Sequence, residues 1–78
     1  MELWIRSQNK ERLSSVKTLF IEDINVDNKL FVITDGYVYY GEYESEERAL
    51  EILDEIQEIM TNLADSDLKI IQYEMPKD

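Results

Sequence analysis

Cysteine and histidine are both absent from this sequence of 78 residues. Their absence removes disulfide bonds, the thiolate nucleophile, the most common general base and most ligands of transition metals. An enzymatic function is therefore disfavoured. The sequence predicts no catalytic residue, no metal site and no cofactor.

Basic residues are scarce: eight Lys and Arg stand against 18 Asp and Glu, which gives a formal net charge of −10. Binding to nucleic acids depends on Lys and Arg side chains that displace counterions from phosphates, so direct nucleic-acid binding is not expected. Anionic lipid surfaces are repelled in the same way. A charged partner of this chain is expected to be basic.

Long apolar runs are also missing. No window approaches the roughly 20 apolar residues of a membrane span, and charges interrupt the N-terminal segment MELWIRSQNKERL where a signal peptide needs an apolar core. We therefore expect a cytoplasmic protein that forms one small domain over residues 1–78. A chain of this size buries a thin core, which favours a homodimer.

The remaining pattern predicts the order β-β-β-β-α-β. Strands are expected in the alternating N-terminal segment up to Ser7, in RLSSVKTLFIED, in KLFVIT, in YVYYGEY and in LKIIQYEM, with one helix before the last strand. The predicted fold class is α+β: a four-stranded antiparallel meander, one amphipathic helix packed on a face, and a short C-terminal strand.

The second predicted strand carries apolar residues on both faces near its end. Val16 and Phe20 fall on one face, whereas Leu19 and Ile21 fall on the other. A sheet that is covered on both sides, or a dimer, would explain this distribution.

Two glycines punctuate the third and fourth predicted strands. The pair Asp35-Gly36 lies between two β-rich runs and predicts a hairpin with a type I′ turn, in which both central residues have positive φ. Gly41 interrupts the fourth strand and indicates a bulge or a bend before the helix.

The segment SEERALEILDEIQEIMTNL predicts the helix. Ser45 is the expected N-cap, and Glu46 and Glu47 then lie at the positive end of the helix dipole. Leu50 falls on a flank of the apolar stripe. That stripe comprises Ala49, Ile52, Leu53, Ile56, Ile59, Met60 and Leu63, and its breadth indicates that it packs against the sheet.

Opposite the stripe lies a row of carboxylates, which we call the acidic ridge. It consists of Glu47, Glu51, Asp54, Glu55 and Glu58. An acidic face is often only a solvated surface, but this one places like charges at i, i+4 spacing without interleaved Lys, which costs stability. The ridge is therefore the predicted partner-binding site, for a surface rich in Lys and Arg.

Aromatic residues form a second candidate surface, composed of Trp4, Tyr37, Tyr39 and Tyr43. Strand alternation predicts that the three tyrosines share one face, with Val38 and Tyr40 on the other. Tyr and Trp often anchor protein interfaces. Cross-strand packing of Tyr within a sheet is an equally good explanation.

The segment DINVDN places Asp23, Asn25 and Asp27 at the first, third and fifth positions of a calcium-binding loop. The match then fails, because Asn28 stands in place of Gly and Thr34 in place of the bidentate Glu. A hairpin loop is the preferred interpretation.

The segments LWIRSQNKERL and GEYESEERALEILDEIQ resemble a group of short uncharacterised proteins from phages and prophages of Gram-positive bacteria, over most of residues 2–57. Those proteins share a Leu-Trp-Ile-Arg-Ser-Gln strand and an Arg-Ala-Leu-Glu helix. The resemblance implies a phage or mobile-element origin but no activity. Arg6, Ser7, Gln8 and Arg48 belong to the shared pattern, in which Arg48 is expected to pair with a carboxylate near the helix start.

Three functions remain open. The first is a phage-type binding protein whose acidic ridge docks on a basic host protein, as an inhibitor of a nucleic-acid-processing or defence enzyme in the manner of anti-CRISPR proteins. The second is a dimeric sponge for a nucleotide signal, with Trp4, Tyr37 and Tyr39 stacking the base and Arg6, Lys10 or Arg12 near the phosphates. The third is a structural accessory protein that forms a homo-oligomer.

Overall fold

The computed structural model describes residues 2–25 and 29–78. Within them the chain forms six strands and one helix, which confirms the α+β class. In chain order these are β1 (Glu2–Arg6), β2 (Leu13–Val16), β3 (Phe20–Asn25), β4 (Lys29–Thr34), β5 (Tyr39–Tyr43), α1 (Glu46–Asn62) and β6 (Ile70–Glu74).

The strands are arranged in two sheets of three. Sheet A has the order β2-β1-β6, in which β1 pairs with β2 antiparallel and with β6 parallel. Sheet B is the antiparallel meander β3-β4-β5. The expected meander thus covers β3 to β5, and the short C-terminal strand completes the other sheet beside β1.

The second predicted strand is divided between the two sheets. Residues 17–19 leave the ladder after Val16, and β3 begins at Phe20 in sheet B. Val16 is buried in sheet A, whereas Leu19 packs against the core from the connection between the sheets and Ile21 does so from β3 of sheet B. The apolar residues on both faces therefore arise because the chain changes sheets, so neither a doubly covered sheet nor a dimer is needed to explain them.

The predicted hairpin at Asp35-Gly36 is confirmed, but its turn is longer than a type I′ turn. Thr34 pairs with Tyr39, and of the two central residues only Gly36 has positive φ, at 101°. The Asp35 carboxylate holds the loop, because its Oδ1 accepts hydrogen bonds from the backbone N–H groups of Tyr37 (2.9 Å) and Val38 (3.0 Å). These bonds are the main cause that lowers the pKa of Asp35.

The bulge predicted near Gly41 is also confirmed. Ile33 pairs with Gly41 and Thr34 pairs with Tyr39, so Tyr40 is the extra residue of β5. A Cβ on Gly41 would lie 2.6 Å from the hydroxyl oxygen and 2.7 to 2.9 Å from two ring carbons of Tyr43, whose side chain covers this position. Only glycine leaves room for the ring there.

The helix begins as predicted. Ser45 is the N-cap, and its Oγ accepts a hydrogen bond from the backbone N–H of Arg48 at 3.1 Å. Ala49, Ile52 and Ile56 are buried against the sheets, and Leu53, Ile59 and Leu63 pack at the margin of the core. Met60 and Leu50 are partly exposed, at 36% and 46% of their surfaces.

The two sheets are joined at the end of β1 by Gln8. Its backbone N–H donates to the carbonyl of Tyr40 at 2.7 Å, and its side chain bonds both main-chain groups of Glu42 in β5. Its Nε2 also reaches the carbonyls of Pro76 and Lys77 after β6. One amide side chain therefore ties β1, β5 and the segment after β6 together.

Candidate protein-binding site

All five carboxylates of the acidic ridge are exposed. They span about 17 Å of helix at 1.5 Å per residue and lie within roughly 100° around its axis. The apolar residues Ala49, Ile52 and Ile56 occupy the opposite side and hold the helix against the sheets. The structure thus brings together every predicted ridge residue on one solvent-facing surface.

The ridge carboxylates have no salt-bridge partner among the described residues. The one ion pair formed there joins Lys10 Nζ and Glu74 Oε1 at 3.3 Å, on sheet A. Arg48, expected to pair with a carboxylate at the helix start, instead donates from Nε to the main-chain oxygen of Asp78 at 2.9 Å. The last turn of the helix has no basic residue either. Within the described residues, therefore, no direct ion pair offsets the negative charge of the ridge.

At one margin of the ridge, Glu55 lies close to Tyr73 of β6. Burial is the main cause that raises the pKa of the Tyr73 phenol, and the negative charge of Glu55 raises it further. The buried Tyr73 hydroxyl lies near the Glu55 carboxylate but forms no hydrogen bond of standard geometry within the described ranges. Burial likewise raises the pKa of Tyr43 to about 12. Both phenols therefore stay neutral, and both side chains pack in the hydrophobic core.

The aromatic residues do not form one surface. Trp4 lies on the outer face of sheet A, where its Nε1 donates to Glu2 Oε2 at 3.0 Å. Tyr37 and Tyr39 are exposed at the β4–β5 hairpin, by 95% and 51%. The predicted sharing of one face by Tyr37, Tyr39 and Tyr43 is wrong, because the bulge at Tyr40 reverses the alternation after it.

Tyr43 is consequently a core residue, 2% exposed, and its hydroxyl donates to the carbonyl of Pro76 at 2.8 Å. The exposed aromatic neighbour that sequence reasoning missed is Phe20. It pairs with Thr34 across from Tyr39 and is 42% exposed. The sequence carries no local signal for this neighbour, because only the strand register, in which Thr34 lies between Phe20 and Tyr39, brings Phe20 to the hairpin.

The groups of the predicted nucleotide site are also separated. Trp4 belongs to sheet A, whereas Tyr37 and Tyr39 belong to the hairpin of sheet B. Arg6 donates from Nη1 to the carbonyl of Lys10 at 3.1 Å, and Lys10 itself pairs with Glu74. Within one chain, therefore, the stacking groups and two of the three cations are not assembled around a common cavity.

Ser7 and Gln8, two of the residues singled out in the N-terminal sequence, have structural roles in the β1–β2 loop. Ser7 is 4% exposed, and its Oγ donates to Asn9 Oδ1 and accepts from the backbone N–H of Arg12. Lys10 adopts a positive φ of 67°, which lets the loop close. These contacts and the hydrogen bonds of Gln8 give the Arg-Ser-Gln segment a structural role in the fold.

Asp23 lies exposed in β3, and Asn25 ends that strand, while Asp27 falls outside the described residues. No group of three or more acidic side chains that could hold a metal ion occurs in residues 2–25 and 29–78.

Over the same ranges, α1 lacks the length and apolarity that a membrane crossing requires.

The chain matches no protein-family model, no curated protein and no solved structure. Any functional conclusion therefore depends on the geometry and charge of the site itself.

Proposed function

We propose that this chain is a non-enzymatic binding protein whose acidic ridge docks on a basic surface of another protein. The observation that carries the proposal is the row of five exposed carboxylates without a salt-bridge partner in the described part of the chain. The apolar side of α1 is already occupied by the sheets. The ridge is thus free to meet a partner without unfolding or rearranging the helix.

The ridge is costly for the isolated protein. Glu47 and Glu51, Glu51 and Glu55, and Asp54 and Glu58 are like-charged pairs at i, i+4 spacing. Each such pair destabilises a helix by about 0.2–0.5 kcal/mol, whereas Glu-Lys pairs would stabilise it by a similar amount. A basic partner removes this repulsion and gains attraction to every member of the row.

The density of charge fits a partner that binds nucleic acids. Five carboxylates over about 17 Å leave four intervals with a mean spacing of about 4 Å, which is of the same order as the roughly 3.4 Å axial spacing of phosphates along one DNA strand. A Lys/Arg surface built for that spacing would accept the ridge in place of a phosphate backbone. We therefore propose a nucleic-acid-processing or defence enzyme of a bacterial host as the partner, inhibited in its cytoplasm by a phage-type protein.

The test is a charge-reversed ridge. Wild-type protein and the triple variant Glu51→Lys, Asp54→Lys and Glu58→Lys are immobilised and exposed to lysate of a Gram-positive host at low salt. The matched control reverses three exposed acids elsewhere, Glu11→Lys, Glu22→Lys and Asp65→Lys, and so changes the net charge equally. Circular dichroism confirms that each variant is folded.

We expect wild type and control to retain the same basic protein and the ridge variant to lose it, and raising the salt concentration should release it. Equal retention by the ridge variant and the control would contradict the proposal, because net charge alone would then explain the binding. Inhibition of the captured protein's nucleic-acid binding by the wild type and the control, but not by the ridge variant, would support the inhibitory role.

A further inference from the structure

The sequence contains one Asp-Gly pair, Asp35-Gly36, in the turn between β4 and β5. In a flexible chain, the main-chain nitrogen that follows Asp attacks the carbon of the Asp side-chain carboxyl group and closes a succinimide ring. Glycine after Asp favours this attack, because it has no Cβ to hinder the approach and leaves the backbone free to adopt the required conformation. The exposed turn therefore carries a reactive pair of residues.

The reaction changes the connectivity of the chain without changing its mass. The Gly36 nitrogen gives up its proton and forms a bond to Cγ of Asp35, the C–OH bond of the protonated carboxyl group breaks, and one water molecule leaves. Water then adds to either carbonyl carbon of the ring. Addition at Cγ restores aspartate. Addition at the main-chain carbonyl carbon gives isoaspartate, in which the chain runs through Cβ and Cγ and is one CH₂ group longer.

The attacking group of this reaction is held by Thr34. The N–H of Gly36 donates to Thr34 Oγ1 at 3.0 Å, and that hydroxyl donates in turn to the carbonyl of Val38 at 2.6 Å. The Thr34 side chain is completely buried. The proton that has to leave the Gly36 nitrogen therefore points to a buried hydroxyl and not to solvent.

The carboxyl group under attack is held as well. Asp35 Oδ1 accepts hydrogen bonds from the N–H groups of Tyr37 and Val38, and Oδ2 accepts one from the hydroxyl of Tyr40 at 3.0 Å. Attack requires the carboxyl plane to turn its face toward the Gly36 nitrogen, and this rotation breaks those bonds. The same donors, with the N–H of Tyr37 first, lower the pKa of Asp35 and keep it ionised, whereas water leaves only from the protonated group.

We propose that Asp35-Gly36 is a latent isomerisation site, which the folded hairpin keeps unreactive and which reacts once the hairpin opens. Thr34 and Tyr40 are the positioning residues, since each holds one of the two reacting groups through a hydrogen bond. The inference is independent of the proposed function. It gives the hairpin a chemical role, because copies that stay folded keep aspartate and copies that unfold acquire isoaspartate.

Isoaspartate at position 35 does not fit this turn. The added CH₂ group shifts Gly36 relative to Thr34, and the free carboxylate moves from Cβ to Cα, so that the bonds to Tyr37 and Val38 cannot form in the same geometry. A copy that has reacted is therefore expected to lose the native β4–β5 hairpin when it refolds. Isomerisation would thus make the unfolding of a copy irreversible.

The test measures isoaspartate at position 35 in the whole chain. Wild type is incubated at physiological temperature and neutral pH, either folded or unfolded in guanidinium chloride. Peptide mapping by liquid chromatography and mass spectrometry then separates the isoaspartyl peptide from the aspartyl peptide of equal mass. We expect the folded protein to react about 100-fold more slowly, because several hydrogen bonds must break together. Equal rates in the two states would overturn the inference.

The decisive variant is Thr34→Val, which removes the hydroxyl, keeps the shape of the side chain and releases the Gly36 N–H. In the folded state it should isomerise about tenfold faster than wild type, whereas the matched control Thr34→Ser should stay within about twofold. Tyr40→Phe releases Oδ2 and keeps the ring, so an increase of about threefold is expected. Tyr40→Phe decides the question if Thr34→Val does not fold.

A loss of global stability is separated from an opened turn by Ser45→Ala. This variant removes the N-cap bond to Arg48, beyond the other end of β5, and leaves the bonds of the turn in place. It should isomerise at nearly the wild-type rate, with urea unfolding to compare the stabilities of all variants. If Ser45→Ala reacts as fast as Thr34→Val, or if neither Thr34→Val nor Tyr40→Phe reacts faster than wild type, the turn does not protect the pair and the inference fails.

The consequence for folding is measured on wild type that has partly reacted in guanidinium chloride. The sample is returned to native conditions, and a sizing column separates the native fraction from chains that stay expanded or aggregate. We expect isoaspartate to be depleted from the native fraction. Equal isoaspartate contents in the two fractions would show that the turn accommodates the longer chain and would overturn this part of the inference.

Discussion

At the residue scale, the fold depends on a few polar side chains that take the place of main-chain pairing. Gln8 is the clearest example, because its amide bonds both main-chain groups of Glu42 and the carbonyls of Pro76 and Lys77, at 2.7 to 3.2 Å. The sequence gives no sign of this role, since Gln8 lies in a run of polar turn residues. Only the position of β5 beside the end of β1 explains it.

Gln8→Ala is expected to lower the free energy of unfolding by about 2 kcal/mol, since several hydrogen bonds at a half-buried site are lost together and water replaces them only in part. Urea unfolding measures the change. The matched control is Gln72→Ala, on the exposed face of β6, which should change stability by less than about 0.5 kcal/mol. Equal effects of the two substitutions would show that Gln8 does not join the sheets.

Gly41→Ala is expected to destabilise the protein by about 1–3 kcal/mol, because the new Cβ would overlap the Tyr43 ring. The clash depends on that ring. In a Tyr43→Leu background the same substitution should therefore cost much less, and a double-mutant cycle of thermal unfolding measures the difference. If Gly41→Ala lowers the free energy of unfolding equally in both backgrounds, glycine is required there by the backbone conformation and not by the Tyr43 ring.

At the scale of elements, the sequence predicted what short-range physics decides. The helix start, the hairpin at Asp35-Gly36 and the bulge near Gly41 each depend on one capping residue or one glycine. The division of the second strand between two sheets and the parallel pairing of β1 with β6 depend on contacts between distant segments, for which the sequence carries no local signal. The same holds for the candidate sites. Helical periodicity alone predicted the exposed ridge correctly, whereas strand alternation predicted the wrong face for Tyr43, because a bulge reverses the alternation before it.

The β4–β5 hairpin should show a pH dependence that comes from Asp35. Its pKa in the folded protein is below the ordinary value of 3.8, chiefly because the N–H of Tyr37 bonds the carboxylate. A depressed pKa contributes stability that is present above the ordinary value and is lost as the pH falls through the folded pKa. The stability difference between wild type and Asp35→Asn should therefore be constant near neutral pH and should shrink below about pH 4.

Chemical denaturation from pH 3 to pH 7 measures this difference. The control is Asp65→Asn, which makes the same change of charge in the exposed segment after the helix, away from the hairpin. A difference between wild type and Asp35→Asn that stays constant down to pH 3 would mean that the charge of Asp35 does not hold the turn.

The acidic ridge should respond to a single charge reversal within α1. Glu51→Lys replaces two repulsive i, i+4 pairs by attractive ones, with Glu47 and Glu55, and is expected to stabilise the protein by about 0.8–2 kcal/mol. Asp65→Lys changes the net charge equally outside the helix and should give a smaller gain. If thermal unfolding shows equal stabilisation of the two variants, the gain comes from the lower net charge of the protein and not from repulsion between carboxylates of the ridge.

At the scale of the whole molecule, the protein is elongated, with dimensions of 46 × 23 × 20 Å. Two small sheets share one helix, and the outer side of that helix carries five of the chain's 18 acidic residues. A stabilising substitution in the ridge that also abolishes partner binding would be the expected trade-off between stability and function. The homodimer expected from the small size of the chain stays a prediction.

Light scattering behind a sizing column tests the central claim most directly. The wild type, the ridge variant and the equally charged control are each mixed with the captured basic protein at low and at high salt. We predict a heavier complex with wild type and control at low salt that dissociates at high salt, and the free mass of 9.3 kDa, or of its dimer, for the ridge variant in both. A complex of the same mass with the ridge variant would contradict the account.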